Sequence, residues 1–165
     1  MAFFQKLNQR PIPQSLLMGL FCAMVGIAVG FRVWLTAIGK GYSDMPILGG
    51  ISSFFVGSFL WWRLVARRAT VTVKRGLFTG LLIVGVSHYF VWYLSLVCSN
   101  VSYWVFRQKV GSLDGPPIDP LNGIWTMVVM ALWSLVFFGW VTLPLGAAIG
   151  AAYSWFLKRC GKVVS

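Results

Sequence analysis

The chain has no glutamate, three aspartates and one histidine. Acid–base catalysis, metal ligation and nucleophile activation draw mostly on carboxylates and imidazoles, so this scarcity removes most catalytic constellations at the outset. Charged residues make up 10% of the 165 residues, against about 25% in an ordinary soluble domain. With so little charge, the apolar surface must face something other than water, and lipid is the obvious solvent. Cys22, Cys98 and Cys160 are too few and too scattered for a disulfide framework or a clustered metal site.

What is abundant is apolar or basic. Hydrophobic residues make up 58% of the chain, with 13 Phe, 9 Trp and 5 Tyr, and the net charge is +11. In a soluble protein that charge would suggest nucleic acid. Here the bases gather at the ends of apolar runs and no nucleic-acid motif accompanies them. The pattern therefore reads as membrane orientation and contact with anionic lipid headgroups, not nucleic acid.

The apolar runs define four spans in one domain covering 1–165: about 15–35, 47–63, 76–98 and 125–157. The polar head Met1–Gln14 resembles the n-region of a signal peptide. The apolar run behind it is long for an h-region and lacks a clear cleavage pattern, so a retained first span is expected. Met45–Trp62 is uncharged over 18 residues, just enough for a helix to cross a hydrocarbon core of about 30 Å. Trp61 and Trp62 are placed at the interface before a basic loop, 63–75. Residues 99–106 either continue the third helix or lie along the interface, at the start of an outer loop, 99–122, whose second half is rich in turn formers. Asn100-Val-Ser102 matches a glycosylation sequon but stands too close to the membrane for use. Asp114 and Asp119 offer too few ligands for a calcium site. The run 125–157 exceeds one bilayer crossing, so its helix should tilt, project or break, with Pro144 as the expected irregularity.

Four spans put both termini on one side. That side carries Lys6, Arg10, Arg63, Arg67, Arg68, Lys74, Arg75, Lys158, Arg159 and Lys162. The other carries Arg32, Lys40, Arg107 and Lys109 with all three aspartates. The positive-inside rule then gives an all-α, integral membrane four-helix bundle, N-in/C-in. Arg63, Arg67, Arg68, Lys74, Arg75, Lys158 and Arg159 are the candidate headgroup contacts. A bacterial inner or plasma membrane, or an organelle membrane of bacterial origin, fits this pattern.

Small residues recur at a spacing of four: Gly26/Gly30, Gly76/Gly80 and Gly146/Gly150, the last extended by Ala147/Ala151 and Ala148/Ala152. This spacing puts both members on one helix face and lets two backbones approach where lipid supplies no hydrophobic drive. Either another span or a partner protein could take up such a face. His88 falls near the middle of the third span, beside Tyr89 and near Trp92. An ionisable group at that depth is a functional candidate. It could ligate a tetrapyrrole metal, relay protons, or simply bond a neighbouring hydroxyl. Trp92, Trp133 and Trp140 lie deep enough to pack on a pigment, quinone or lipid chain, or to fill the bundle. The function expected from these features is non-catalytic: an accessory, scaffold or assembly subunit of a larger membrane complex, respiratory or photosynthetic, binding other membrane subunits. The alternatives are a small oligomeric transporter or channel, a pigment-carrying subunit using His88, and a toxin-immunity membrane protein.

Overall fold

The computed structural model describes residues 11–37, 42–68, 70–107 and 116–159. Among them it is all-helical, with four helices long and apolar enough to cross a membrane. They are α1 (Pro11–Thr36), α2 (Met45–Trp61, continued by a π-helical turn over Trp62–Ala66), α3 (Val73–Trp104) and α4 (Pro120–Arg159). Lys6, Arg10, Lys40, Lys109, Asp114, Cys160 and Lys162 lie outside the described residues.

The helices begin earlier than the apolar runs because prolines sit in their first turns. Pro46 and Pro120 occupy positions where a missing backbone N–H has no intrahelical partner to lose. Asp119 adds a cap to α4, its Oδ2 accepting from the Asn122 backbone N–H at 3.3 Å and from Asn122 Nδ2 at 3.2 Å. Thr72 does the same for α3 by accepting from the Arg75 N–H at 3.3 Å. At the other end, α3 continues through 99–104 as regular helix and stops where Arg107 takes a left-handed backbone, φ 54°. Of the tilt, projection or break expected for this long run, a break at Pro144 does not occur. α4 is one helix of 40 residues with Pro144 inside it, about 60 Å long at 1.5 Å per residue.

The chain forms two antiparallel hairpins, α1–α2 and α3–α4, which meet mainly through α2 against α3. Glycine brings the paired backbones together within each hairpin. A methyl group at Gly49 would stand 2.6 Å from the Gly26 carbonyl oxygen, and one at Gly30 would stand 2.5 Å from the Met45 carbonyl oxygen. In the second hairpin Gly76 faces Gly150 and Ser154, and Gly80 faces Gly146. Such distances are shorter than any Cβ tolerates against backbone atoms. These small-residue faces are therefore occupied inside the chain.

The buried core sits at one end of the bundle. Trp61 and Val65, both fully enclosed, pack with Met18, Val56, Val71, Ile83, Tyr153 and Leu157. Trp61, expected at the interface from its sequence position, is buried within this cluster and not turned outward. Its ring lies 5.1 Å from that of Tyr153, and Phe21 meets Tyr153 edge-on at 6.1 Å. Tyr153 Oη donates to the Gln14 carbonyl at 3.1 Å, tying the start of α1 to the end of α4. Arg63, Arg67, Arg68, Lys74, Lys158 and Arg159 surround this end as exposed side chains, with Arg75 half-buried.

Candidate functional site

At the opposite end the hairpins stand apart. A partly open cavity of about 660 Å³ begins beside Met18, Ile83 and Ile149, next to the buried cluster, and runs to Thr36, Tyr42 and Met45 at the α1–α2 turn. All four helices contribute to its wall. α1 and α4, which touch each other sparsely, stand on either side. Among the described residues the wall is largely Val, Ile, Met, Phe, Trp and Gly, with no aspartate, glutamate, lysine or arginine. A volume of this order, an apolar lining and a few polar groups are the usual attributes of a small-molecule site.

His88 is the polar centre of that wall. It reaches from α3 to two hydroxyls of α4, with Nδ1 2.7 Å from Ser134 Oγ and Nε2 3.2 Å from Thr142 Oγ1. Eight residues separate Ser134 from Thr142, just over two helical turns, so both lie on the α4 face presented to His88. The network sets the tautomer. Thr142 Oγ1 donates its own proton back to the Phe138 carbonyl at 3.0 Å, so toward the imidazole it can only accept. His88 Nε2 therefore carries a proton, and Nδ1 bonds Ser134 Oγ. The histidine serves as a cross-link inside the α3–α4 hairpin. Both ring nitrogens are engaged, and a tetrapyrrole metal bound at Nδ1 would have to displace Ser134.

Ser134 and His88 have the spacing of a nucleophile and its base, but the remaining parts of such a device differ. The orienting partner on Nε2 is a hydroxyl and not a carboxylate. Ser134 lies in mid-helix, where backbone N–H groups are bonded within the helix and form no oxyanion pocket. The arrangement thus shares one hydrogen bond with such a device.

The other singled-out residues lie elsewhere. Gly26, Gly30, Gly80 and Gly146 border the cavity where paired backbones touch, while Gly76 and Gly150 sit nearer the basic end. Trp92 and Trp133 line the cavity, whereas Trp140 faces outward, 76% exposed, its Nε1 donating to the Phe137 carbonyl at 2.8 Å. At the basic end Arg67 lies over Trp62 at 4.8 Å and Arg159 over Trp155 at 4.2 Å, a cation–aromatic pairing that suits the headgroup region. Cys22 is on the cavity wall and Cys98 is exposed. Asn100 of the sequon is buried, its Nδ2 donating to the Leu96 and Ile118 carbonyls at 3.0 and 2.9 Å and closing the α3–α4 hairpin. Among the described residues no group of His, Cys, Asp or Glu could hold a metal. The cavity and the roles of Ser134 and Thr142 were not foreseen from the sequence, and Ser87, a candidate hydroxyl beside His88, makes no bond to it. The polar residues Ser87, His88, Ser134 and Thr142 standing inside apolar spans were the available signal.

These features define the class: an all-helical protein with four helices long and apolar enough to cross a membrane, built as two glycine-packed hairpins around a cavity. A scan against protein-family models finds no match, and comparisons with curated proteins and with solved structures find none either.

Proposed function

We propose that the chain is a multi-pass membrane protein that acts by binding, not by catalysis, and that the cavity between its hairpins is the binding site. The observation that carries this reading is the cavity itself: about 660 Å³, largely apolar and, among the described residues, without a charged side chain. Such a space favours an apolar molecule reached from the lipid phase. The broader expectation of a subunit in a larger membrane complex keeps the outward aromatics as docking surface. It loses the small-residue faces, which pack within the chain.

The bases at the packed end support an orientation with both termini and the loop 63–75 in the cytoplasm, and so a cavity opening toward the opposite leaflet. Reporter fusions to the 63–75 loop and the C-terminus read this directly. Neutralising Arg67, Arg68, Lys74 and Arg75 together should loosen or invert it; an unchanged result would assign orientation to the terminal bases.

Purification in mild detergent, with mass spectrometry of the organic extract and an absorbance scan, tests the binding reading. A stoichiometric apolar compound is expected, and Val91→Trp, which adds bulk to the cavity wall, should reduce its recovery to background. A wild-type protein that carries nothing apolar and takes up no added apolar probe overturns the reading. Covalent labelling of Ser134 by a fluorophosphonate would instead favour an enzyme.

A further inference from the structure

The shape of the cavity follows from which residues border it. On α1 the lining runs from Met18 to Thr36, and on antiparallel α4 from Ile149 back to Met130. The ends of these stretches are 18 and 19 residues apart, about 27 and 28 Å of helix rise. Both walls therefore extend over nearly the whole of a hydrocarbon core of about 30 Å. Spread over about 27 Å, a volume of about 660 Å³ has a mean cross-section of about 24 Å². The cavity is a slot, long and narrow, lying along the helices between α1 and α4. Carbon contacts of about 4.0–4.5 Å give one extended hydrocarbon chain a cross-section of about 20 Å². A helix with its side chains is about 10–12 Å across and needs about 80 Å² or more, so a partner's helix enters only if the hairpins part.

Resting on the cavity as binding site, we infer that its occupant is a single lipid tail, held straight along the slot with its end at Met18 and Ile149. The two ends of the slot give this direction. Met18, Ile83 and Ile149 are apolar and border the buried cluster, in which Trp61 and Val65 are fully enclosed. Thr36 and Tyr42 stand at the other end, where their hydroxyls suit the level of a headgroup. Bonds of about 1.5 Å advance an extended chain about 1.25 Å per carbon, so about 22 carbons fill the slot. In a fluid leaflet a lipid tail covers about half of the core, about 15 Å. The slot therefore draws the tail past the bilayer midplane, to the depth of the opposite leaflet. Two sources supply such a tail, a fatty acyl chain and an isoprenoid chain.

The test uses the full chain in nanodiscs of a diacyl phospholipid and two straight-chain alcohols, of about 12 and about 22 carbons, each with a photoreactive diazirine at the tail end. Labelled residues are read by mass spectrometry. The shorter tail should end about 15 Å, or about ten residues, from Thr36 and label Val25, Val29 or Phe138. The longer tail should label Met18, Cys22 or Ile149, about eight residues further along α1. Val25→Trp should stop the longer tail and move its labels back to Val29 and Phe138, while the shorter tail keeps its labels there and reports an intact slot. An unlabelled fatty alcohol and an isoprenoid alcohol of equal main-chain length then compete with the probes. The one that protects the slot several-fold better names the source, and equal protection assigns the slot to a straight tail irrespective of branching. Labels at one depth for both lengths overturn the straight-tail inference while the cavity remains the site. So does Met18 labelling that Val25→Trp leaves unchanged. No label in the slot at either length overturns the cavity reading itself.

Discussion

The two ends of the bundle are built from the same kinds of residue and do opposite things. At the basic end Trp61, Tyr153, Met18 and Leu157 close on one another with almost no surface left. At the other end Trp92, Trp133, Met130 and Met45 stand around an empty volume of about 660 Å³. Each hairpin is tight along its own seam, because glycine sets its backbone separation. The contrast therefore comes from how the hairpins meet, joined at one end and spread at the other. Rigid hairpins hinged on an aromatic cluster can hold a cavity open without strain in either hairpin.

The sharpest way to break this comparison is to remove its fixed end. Trp61→Ala should cost about 3 kcal/mol, near the lower limit for a buried tryptophan, because the unfolded reference surrounds the side chain with lipid instead of water. Trp133→Ala, on the cavity wall and 57% exposed, should cost under about 1 kcal/mol. Reversible unfolding in mixed micelles measures both. Equal costs would mean that the two ends are equally packed and that the cavity closes in the membrane.

The seams come next. Gly80→Leu places a side chain against the Gly146 carbonyl and should cost about 2–3 kcal/mol through overpacking. Gly85→Leu on the same helix meets no atom within 4 Å of the new Cβ and should cost less than about 0.5 kcal/mol. The pair separates a glycine needed for close approach from one that is not. Leucine is the better helix former at both sites, so a Gly85→Leu loss as large as that of Gly80→Leu would show that close backbone approach at Gly80 is not the cause.

His88 sharpens the comparison from inside one hairpin. If its role is the α3–α4 cross-link, His88→Ala and Ser134→Ala should each cost about 1 kcal/mol. A double-mutant cycle should return a coupling of about 0.5–1 kcal/mol. The paired hydroxyl of Thr142 should remain bonded to Phe138 in either variant. Zero coupling would detach His88 from Ser134 and free its Nδ1 lone pair for a ligand.

How much of this was legible beforehand divides along the same line. Helix type and number follow from runs of uncharged residues, which are a local property, and the four helices lie over those runs. Helix ends were misjudged by a few residues, since Pro11, Pro46 and Pro120 start helices in polar sequence that a hydropathy reading assigns to loops. Trp61 and Trp62 are neighbours with identical side chains, and only the 100° step between them puts one in the core and the other over Arg67's reach. For the run around Pro144 the sequence left tilt, projection and break open, because a missing N–H does not show that the long helix on either side holds it. The cavity was invisible for a deeper reason. It depends on where two hairpins fail to touch, and no periodicity within either hairpin encodes that distance.

The smallest expected effect is also the most discriminating. Ser87→Ala removes a hydroxyl that has no partner, so stability of the empty protein should be unchanged or should rise by up to about 1 kcal/mol. Ser154→Ala, at the packed end and also without a partner, should behave the same way when empty. Ligand addition extends the comparison. Ser154 is pressed on Gly76 and borders no cavity, and Ser87 lines the cavity with its hydroxyl turned into the packing, so both variants should gain the full ligand-dependent rise in melting temperature. A smaller rise for the Ser87 variant alone would show that its hydroxyl turns toward the occupant once the cavity is filled, and would give the open end of the bundle a recognition chemistry beyond shape.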